Sequence, residues 1–274
     1  MVNTSVEGLA EVLRALASWQ RVGGVFQLHP GDVGWFWRFG ARATVDAVRV
    51  WSVDGDIAAV GLLDGPTTLR VALDPRHAND TGLADSVVEE LDGIAAVEAP
   101  LGSSVREALA RRGWREGERW VPLERDLSAP VEDCGLNIAI VDAETVGERV
   151  AVQRAAFDKS TFTNERWLAM AEGPAYADAH CLLAYDDAGA AVATTTVWSA
   201  GPRRPGLIEP LGVHRDHRGR GYGRAMTIAA ASALRELGSA SVIVGTPEAN
   251  VAAVAAYASA GFEPRPAVMD LARP

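Results

Sequence analysis

Cysteine is scarce in this chain of 274 residues: Cys134 and Cys181 are the only two. That excludes a disulfide framework, and no set of metal ligands is expected. Cys181 lies in the apolar run from His180 to Tyr185, where a buried core thiol is expected. Long apolar runs are also missing, so no membrane span is expected. The opening residues, MVNTSVEGLAEVL, lack a basic segment followed by an apolar block. No signal peptide is visible there, and a cytoplasmic protein is expected. Nor does positive charge dominate. The formal net charge of −10 argues against nucleic acid as a partner and is compatible with a cationic amine substrate. No Ser or Cys stands in a nucleophile context.

What the sequence does contain is one stretch with strong local logic, Leu207 to Leu237. Leu207 to Val213 is rich in Leu, Ile and Val and reads as a buried strand. A basic turn follows, Arg218-Gly219-Arg220-Gly221-Tyr222-Gly223, then a helix from about Tyr222 to Leu237 closed by Gly238. Glycines let a backbone approach a ligand closely, and their N–H groups can converge at a helix N-terminus, where anions are favoured. Arg215, Arg218, Arg220 and Arg224 add formal charge. The stretch predicts a phosphate or pyrophosphate site; the plainer alternative is a tight turn with a solvated basic face. A P-loop is excluded because no Lys followed by Ser or Thr comes after Gly223, and a dinucleotide fingerprint lacks its third Gly, since Met226 stands there.

Arg218 to Gly223 resembles the [QR]-x-x-G-x-[GA] hallmark of the GNAT acyltransferase superfamily. A second element agrees downstream of a strand at Ser241 to Gly245: Asn250, Ala253, Tyr257, Gly261 and Phe262 follow N-x-x-A-x-x-x-Y-x-x-x-G-F. The resemblance covers about Asn137 to Pro274. It implies acetyl-CoA as cosubstrate and a small-molecule primary amine as acceptor, attacked directly without an acyl-enzyme. The pyrophosphate would lie on Arg218, Gly219, Arg220, Gly221, Tyr222, Gly223 and Arg224. Pantetheine would pair with the strand edge at Leu211, Gly212 and Val213, beside Asn250 and Ala253.

The resemblance also implies catalytic roles. Asn250, Ala253 and Tyr257 share one helix face by their spacing, and Tyr257 is the candidate acid for the leaving thiolate. Its alternative is a half-buried core tyrosine. Glu209, an acid in an apolar strand, is the candidate base, because a carboxylate there is costly unless it meets a wet cleft. Its alternative is an outer-face or hydrogen-bonded Glu. His214 and His217 are expected to be solvated. The acceptor would meet the loop from Phe157 to Thr163, with Tyr176 and Trp198 as walls or as core. A non-catalytic acyl-CoA-binding or sensing protein is the alternative function.

The rest of the chain repeats the pattern. Thr4 and Glu7 resemble a capping box opening a helix to Trp19, and Asp32 is placed to cap a short Trp-rich helix ending at Phe39. Strands are expected at 47–53, 57–63 and 67–73, helices at 81–91 and 105–112, a short strand at 95–99 and an extended segment at 119–127. Aligning Gly113-Trp114 with Gly261-Phe262 superposes the neighbouring elements. In the first copy the turn from Asp74 to Gly82 has one Gly and carries Asp80 opposite Arg220, while Gly102 and Leu109 fall opposite Asn250 and Tyr257. The reading is an α/β (α+β) protein of two tandem GNAT-like domains, each a mixed central sheet flanked by helices. Residues 1–128 form a degenerate domain, 129–136 a linker and 137–274 the catalytic domain. The architecture resembles that of mycothiol synthases, without a stretch that marks their precursor site. Two such repeats packed on each other would allow a monomer; a homodimer is the other expectation.

Overall fold

The computed structural model describes residues 5–274. Thr4 lies outside the described residues, and Glu7, at the start of the first helix, makes no side-chain capping bond. The first half runs α1 (Gly8–Trp19), α2 (Pro30–Phe36), α3 (Ala41–Ala47), β1 (Val48–Val53), β2 (Asp56–Leu63), β3 (Thr68–Leu73), α4 (Thr81–Glu89), β4 (Ala96–Glu98), α5 (Ser104–Arg111) and β5 (Arg115–Asp126). The second half runs β6 (Asn137–Ile140), α6 (Val146–Ala156), α7 (Asn164–Ala171), β7 (Ala179–Tyr185), β8 (Ala191–Ser199), β9 (Pro205–Val213), α8 (Tyr222–Glu236), β10 (Ser241–Pro247), α9 (Val251–Ser259), β11 (Glu263–Pro264) and β12 (Val268–Ala272).

Each half carries helices on both faces of its sheet. In the first, α4 and α5 cover one face through Leu83, Val87 and Leu109, and α1 and α2 cover the other through Leu9, Leu16 and Val33. In the second, α8 and α9 bury Met226, Ile228 and Tyr257 on one face, while α6 and α7 bury Val152, Trp167 and Met170 on the other. This is the mixed, two-half architecture the repeat implies.

The sheet does not stop between the halves. Its strand order is β1-β2-β3-β4-β12-β5-β10-β9-β8-β7-β6. The halves exchange their last strands. β12 pairs antiparallel with β4 of the first half, Leu271 opposite Val97, while β5 pairs antiparallel with β10 of the second, from Ser241 opposite Asp126 to Pro247 opposite Trp120. β5 and β12 also pair with each other. Inward side chains follow the exchange: Leu123 of β5 is fully buried in the second half's core, and Leu271 of β12 is buried in the first half's.

Two local features depart from the sequence reading. Asp32 does not start α2. His29 does, accepting from the Gly31 N–H through Nδ1 at 2.9 Å, while Asp32 reaches back to the His29 N–H at 2.6 Å. Such reciprocal capping satisfies two donors that a helix start leaves open. Helix α3 is not signalled, because Thr44 and Val45 are poor helix formers. It is held by burial of Thr44, whose hydroxyl donates to the Gly40 carbonyl at 3.0 Å.

Because Leu123 belongs to one half by sequence and to the other by packing, Leu123→Ala should cost about 2–5 kcal/mol. It should lower a single melting transition of the whole chain. Two resolved transitions in calorimetry, with only one displaced, would show that the exchanged strands do not couple the halves.

Candidate active site

The site begins where two parallel strands part. β9 is antiparallel to β8 from Gly206 to Val213, but it pairs with β10 only from Pro205–Leu207 against Ser241–Ile243. Beyond Leu207 the edge of β9 that faces β10 is open, and Leu211, Gly212 and Val213 lie on this free stretch. An open strand edge carries N–H and C=O groups ready to pair with an extended ligand. Gly212 is required for a second reason: a Cβ there would come within 2.6 Å of the Ala156 Cβ, so glycine lets α6 lie against the strand.

The basic turn leads from β9 into α8. Gly219 and Gly221 have φ of +78° and +86°, the left-handed region that favours glycine, and a Cβ at either would meet nothing within 4 Å. Among the described residues, the backbone N–H groups of Gly219, Arg220, Gly221, Tyr222, Gly223 and Arg224 have no protein acceptor; the first bond in the helix is Ala225 N–H to Gly221 O at 3.1 Å. This is a set of unpaired donors at the N-terminus of a long helix, the arrangement that suits a phosphate. Among the described residues the Arg220 side chain has no hydrogen bond or ion pair, whereas the turn's other arginines are engaged. Arg218 donates to Ala156 O at 2.6 Å, Arg215 to Ala155 O at 2.8 Å and Arg224 to Ser259 O at 2.9 Å. Arg215 and Arg218 thereby fasten the turn to the C-terminal carbonyls of α6, where cations are favoured. His214 and His217 pack edge to face and are half-buried rather than solvated.

The corresponding helix start in the first half is already filled. Asp80 caps α4, its Oδ1 accepting from the Leu83 N–H at 3.0 Å, and this bond holds its carboxyl below the usual carboxylate range. A side-chain carboxylate thus sits where a phosphate would need to approach. Leu109, opposite Tyr257, is fully buried in the apolar core of that half.

Across the opening, α9 presents the second motif. Asn250 caps the helix, its Oδ1 accepting from the Ala253 N–H at 3.3 Å, so its amide NH2 stays free to donate. Tyr257 is buried, and burial first, then the Glu209 charge, pushes its phenol up. Its hydroxyl has no hydrogen-bond partner among the described residues.

Glu209 is half-buried, facing the seam between the halves. Its backbone carbonyl accepts from Trp198 Nε1 at 2.8 Å, but among the described residues its carboxylate accepts no hydrogen bond. Burial raises the carboxyl from its ordinary 4.5 to about 7; Asp32 and Asp64 add to the rise, and Arg70 and Arg38 oppose it. Those four neighbours all come from the first half, and the sequence reading assigned none of them to the site. Arg70 was the readable signal, a cation inside the apolar strand Thr68–Leu73, the same anomaly that marks Glu209. It bonds Asp32 at 2.9 Å and Glu98 at 2.8 Å, with Asp64 at 3.6 Å. Trp198 is a core residue, 1% exposed and overlain by Gly31 and Gly34 of α2, and Tyr176 packs half-buried against it edge to face.

With this geometry in place, comparison with known proteins is informative. Residues 146–262 match the acetyltransferase (GNAT) family. No curated protein matches the sequence. Among solved structures, a GNAT-family acetyltransferase from Colwellia psychrerythraea is similar over 98% of this chain and 96% of its own, at 16% identity and a TM-score of 0.60. A GCN5-related N-acetyltransferase from Sphaerobacter thermophilus is similar over 91% and 95%, at 19% identity and a TM-score of 0.58. A tandem GNAT protein from the clavulanic acid biosynthesis pathway is similar over 97% and 94%, at 17% identity and a TM-score of 0.54. At these identities the likeness establishes the fold. The second half, over residues 146–262, thus matches the acetyltransferase (GNAT) family, an acyltransferase family, and the chain as a whole shares the two-half fold of the tandem structures.

Proposed function

We propose that the chain transfers an acetyl group from acetyl-CoA directly to the primary amine of a small molecule, with the cofactor held by the second half. The observation that carries this reading is the open β9 edge, bounded by unpaired N–H donors at one end and by Glu209 and Tyr257 along its length. The N–H groups of Gly219 to Arg224, with the Arg220 side chain, would hold the pyrophosphate. The edge at Leu211, Gly212 and Val213 would pair with pantetheine, and the free amide NH2 of Asn250 would bond one of its carbonyls. Ala253 leaves room for it. Residues 1–128 act as a degenerate partner domain, joined through 129–136 to the catalytic domain 137–274.

In the transfer the amine nitrogen attacks the thioester carbon. The C–N bond forms, the C–S bond breaks, and Glu209 takes the proton that the amine loses. Tyr257 gives its proton to the departing thiolate, and the proton on Glu209 returns through solvent to the phenolate. A raised phenol stays protonated across the neutral range, so Tyr257 is ready to donate in each turnover. A carboxyl near 7 is placed to accept a proton at neutral pH.

Acetyl-CoA should titrate calorimetrically as one site per chain. Gly221→Asp should abolish that binding, by placing a charge among the N–H donors, at a folding cost of about 1 kcal/mol for the left-handed backbone. Two equivalent sites, or unaltered binding by a folded variant, would refute the placement of the cradle.

Tyr257→Phe should lower kcat by roughly 10²–10⁴ while leaving acetyl-CoA affinity nearly unchanged, because the hydroxyl acts on a thiolate that exists only as the bond breaks. Unchanged kcat where chemistry limits the rate would return Tyr257 to a packing role.

The base predicts a pH signature. Asp32, Asp64, Arg70, Arg38 and Tyr257 act on Glu209, and kcat/KM should rise with pH through an inflection near 7. Glu209→Gln should remove that inflection. The same substitution should raise the melting temperature at pH 8. A carboxyl raised on folding destabilises the ionised native state, and this penalty builds up between 4.5 and about 7. The gain should vanish near pH 4. An inflection that survives in Glu209→Gln would place the base elsewhere.

A further inference from the structure

The seam between the halves encloses a cavity of about 400 Å³. The carboxyl groups of Asp32, Asp64, Glu98, Glu118, Glu209 and Asp270 line it against one cation, Arg70. That cation is already spent. Its Nη1 lies 2.9 Å from Asp32 and 3.6 Å from Asp64, and its Nε donates to Glu98 at 2.8 Å. Six lining carboxyl groups thus face one lining guanidinium whose Nη1 and Nε are already engaged by acids, and the cavity carries a surplus of negative charge even with Arg38 near Glu209 and Arg106 near Asp270.

Two lining carboxyl groups lack the partners that buried acids normally require. Glu209, half-buried on β9, accepts no hydrogen bond among the described residues. Asp270, on the exchanged strand β12, has its Oδ1 buried with no partner. Burial raises both, and it holds Glu98 above its usual value even beside Arg70. Leaving buried carboxylates unpaired is costly, and an incoming cation relieves that cost. Yet among the described residues no group of three or more acidic, His or Cys side chains converges as a metal site would need. The charge is spread along the cavity, which fits an extended organic cation better than a point ion.

Resting on the acetyl transfer proposed at Glu209, we propose that the acceptor is an aliphatic diamine or polyamine bound in this cavity. One amine lies at Glu209 and is acetylated, while a second ammonium is held by Glu98 and Asp270. The first half and the exchanged strand thus supply the acceptor's specificity, and the first half has a binding role although its own cofactor turn is closed by Asp80. The reaction must draw on a decarboxylase or aminotransferase type of step that makes such amines, since a retained carboxylate would face a lining in which acids outnumber the one cation.

The test uses the full chain with acetyl-CoA, following thiol release for 1,4-diaminobutane, 1-aminobutane and 4-aminobutanoate. The diamine should exceed the monoamine in kcat/KM by about 100-fold, the scale of a buried ion pair, and the amino acid should be poorest. Glu98→Gln and Asp270→Asn should each shrink the diamine-to-monoamine ratio about 10-fold, chiefly through KM. The two variants guard against one failing to fold, since Asp270 Oδ1 bonds nothing among the described residues. Calorimetry with 1,4-diaminobutane alone should show binding that weakens with salt and with either substitution. Diamine binding that responds in this way without thiol release would support the cation site and overturn the transfer chemistry alone. Equal turnover of 1-aminobutane and 1,4-diaminobutane, or diamine affinity indifferent to both substitutions, would overturn the proposal.

Discussion

The rest of the molecule depends on the exchange of β5 and β12. A strand edge in water is an open row of donors and acceptors that invites unwanted pairing. Here the edges of β4 and β10, one in each half, are closed by strands from the opposite half, so one sheet passes through both. Backbone hydrogen bonds rather than side-chain contacts alone then set the angle between the halves. That fixed angle brings Asp32, Asp64 and Arg70 against Glu209, and it gives the seam cavity its walls.

Glu209 is a second-half residue with a first-half environment. Its carboxyl is raised mainly by burial, and that burial exists because α2 and β3 close over the end of β9. Trp198 makes the link physical. Its indole N–H holds the Glu209 carbonyl while its ring carries α2. The halves therefore contribute unevenly: the second carries the glycine turn and the phenol, and the first sets the electrostatics at the carboxylate.

Much of this was readable in the sequence because it is local. Gly219, Gly221 and the helix behind them are encoded within a short stretch whose backbone needs are met by glycine. The two-half architecture was readable for the same reason, since each copy repeats its own order of elements. The exchange was not readable: β5 and β12 look like ordinary terminal strands, and the choice of neighbour is made by tertiary packing. Asp32 looked like a helix cap and does serve one, at N3, while its other oxygen meets Arg70 from a distant strand. His29, the actual cap, gave no signal, because histidine is not among the residues favoured at that position.

The close approach of Gly31 and Gly34 to Trp198 has an evolutionary corollary. A Cβ at either glycine would come within 2.4 Å of Trp198, so neither position can gain a methyl group while the tryptophan stands. A smaller residue at position 198 would relax both, but would release the Glu209 carbonyl that its indole holds. The three positions form one epistatic unit spanning both halves. Drift in the first half is thereby filtered by the second, and the half without a glycine turn of its own remains under selection for shape.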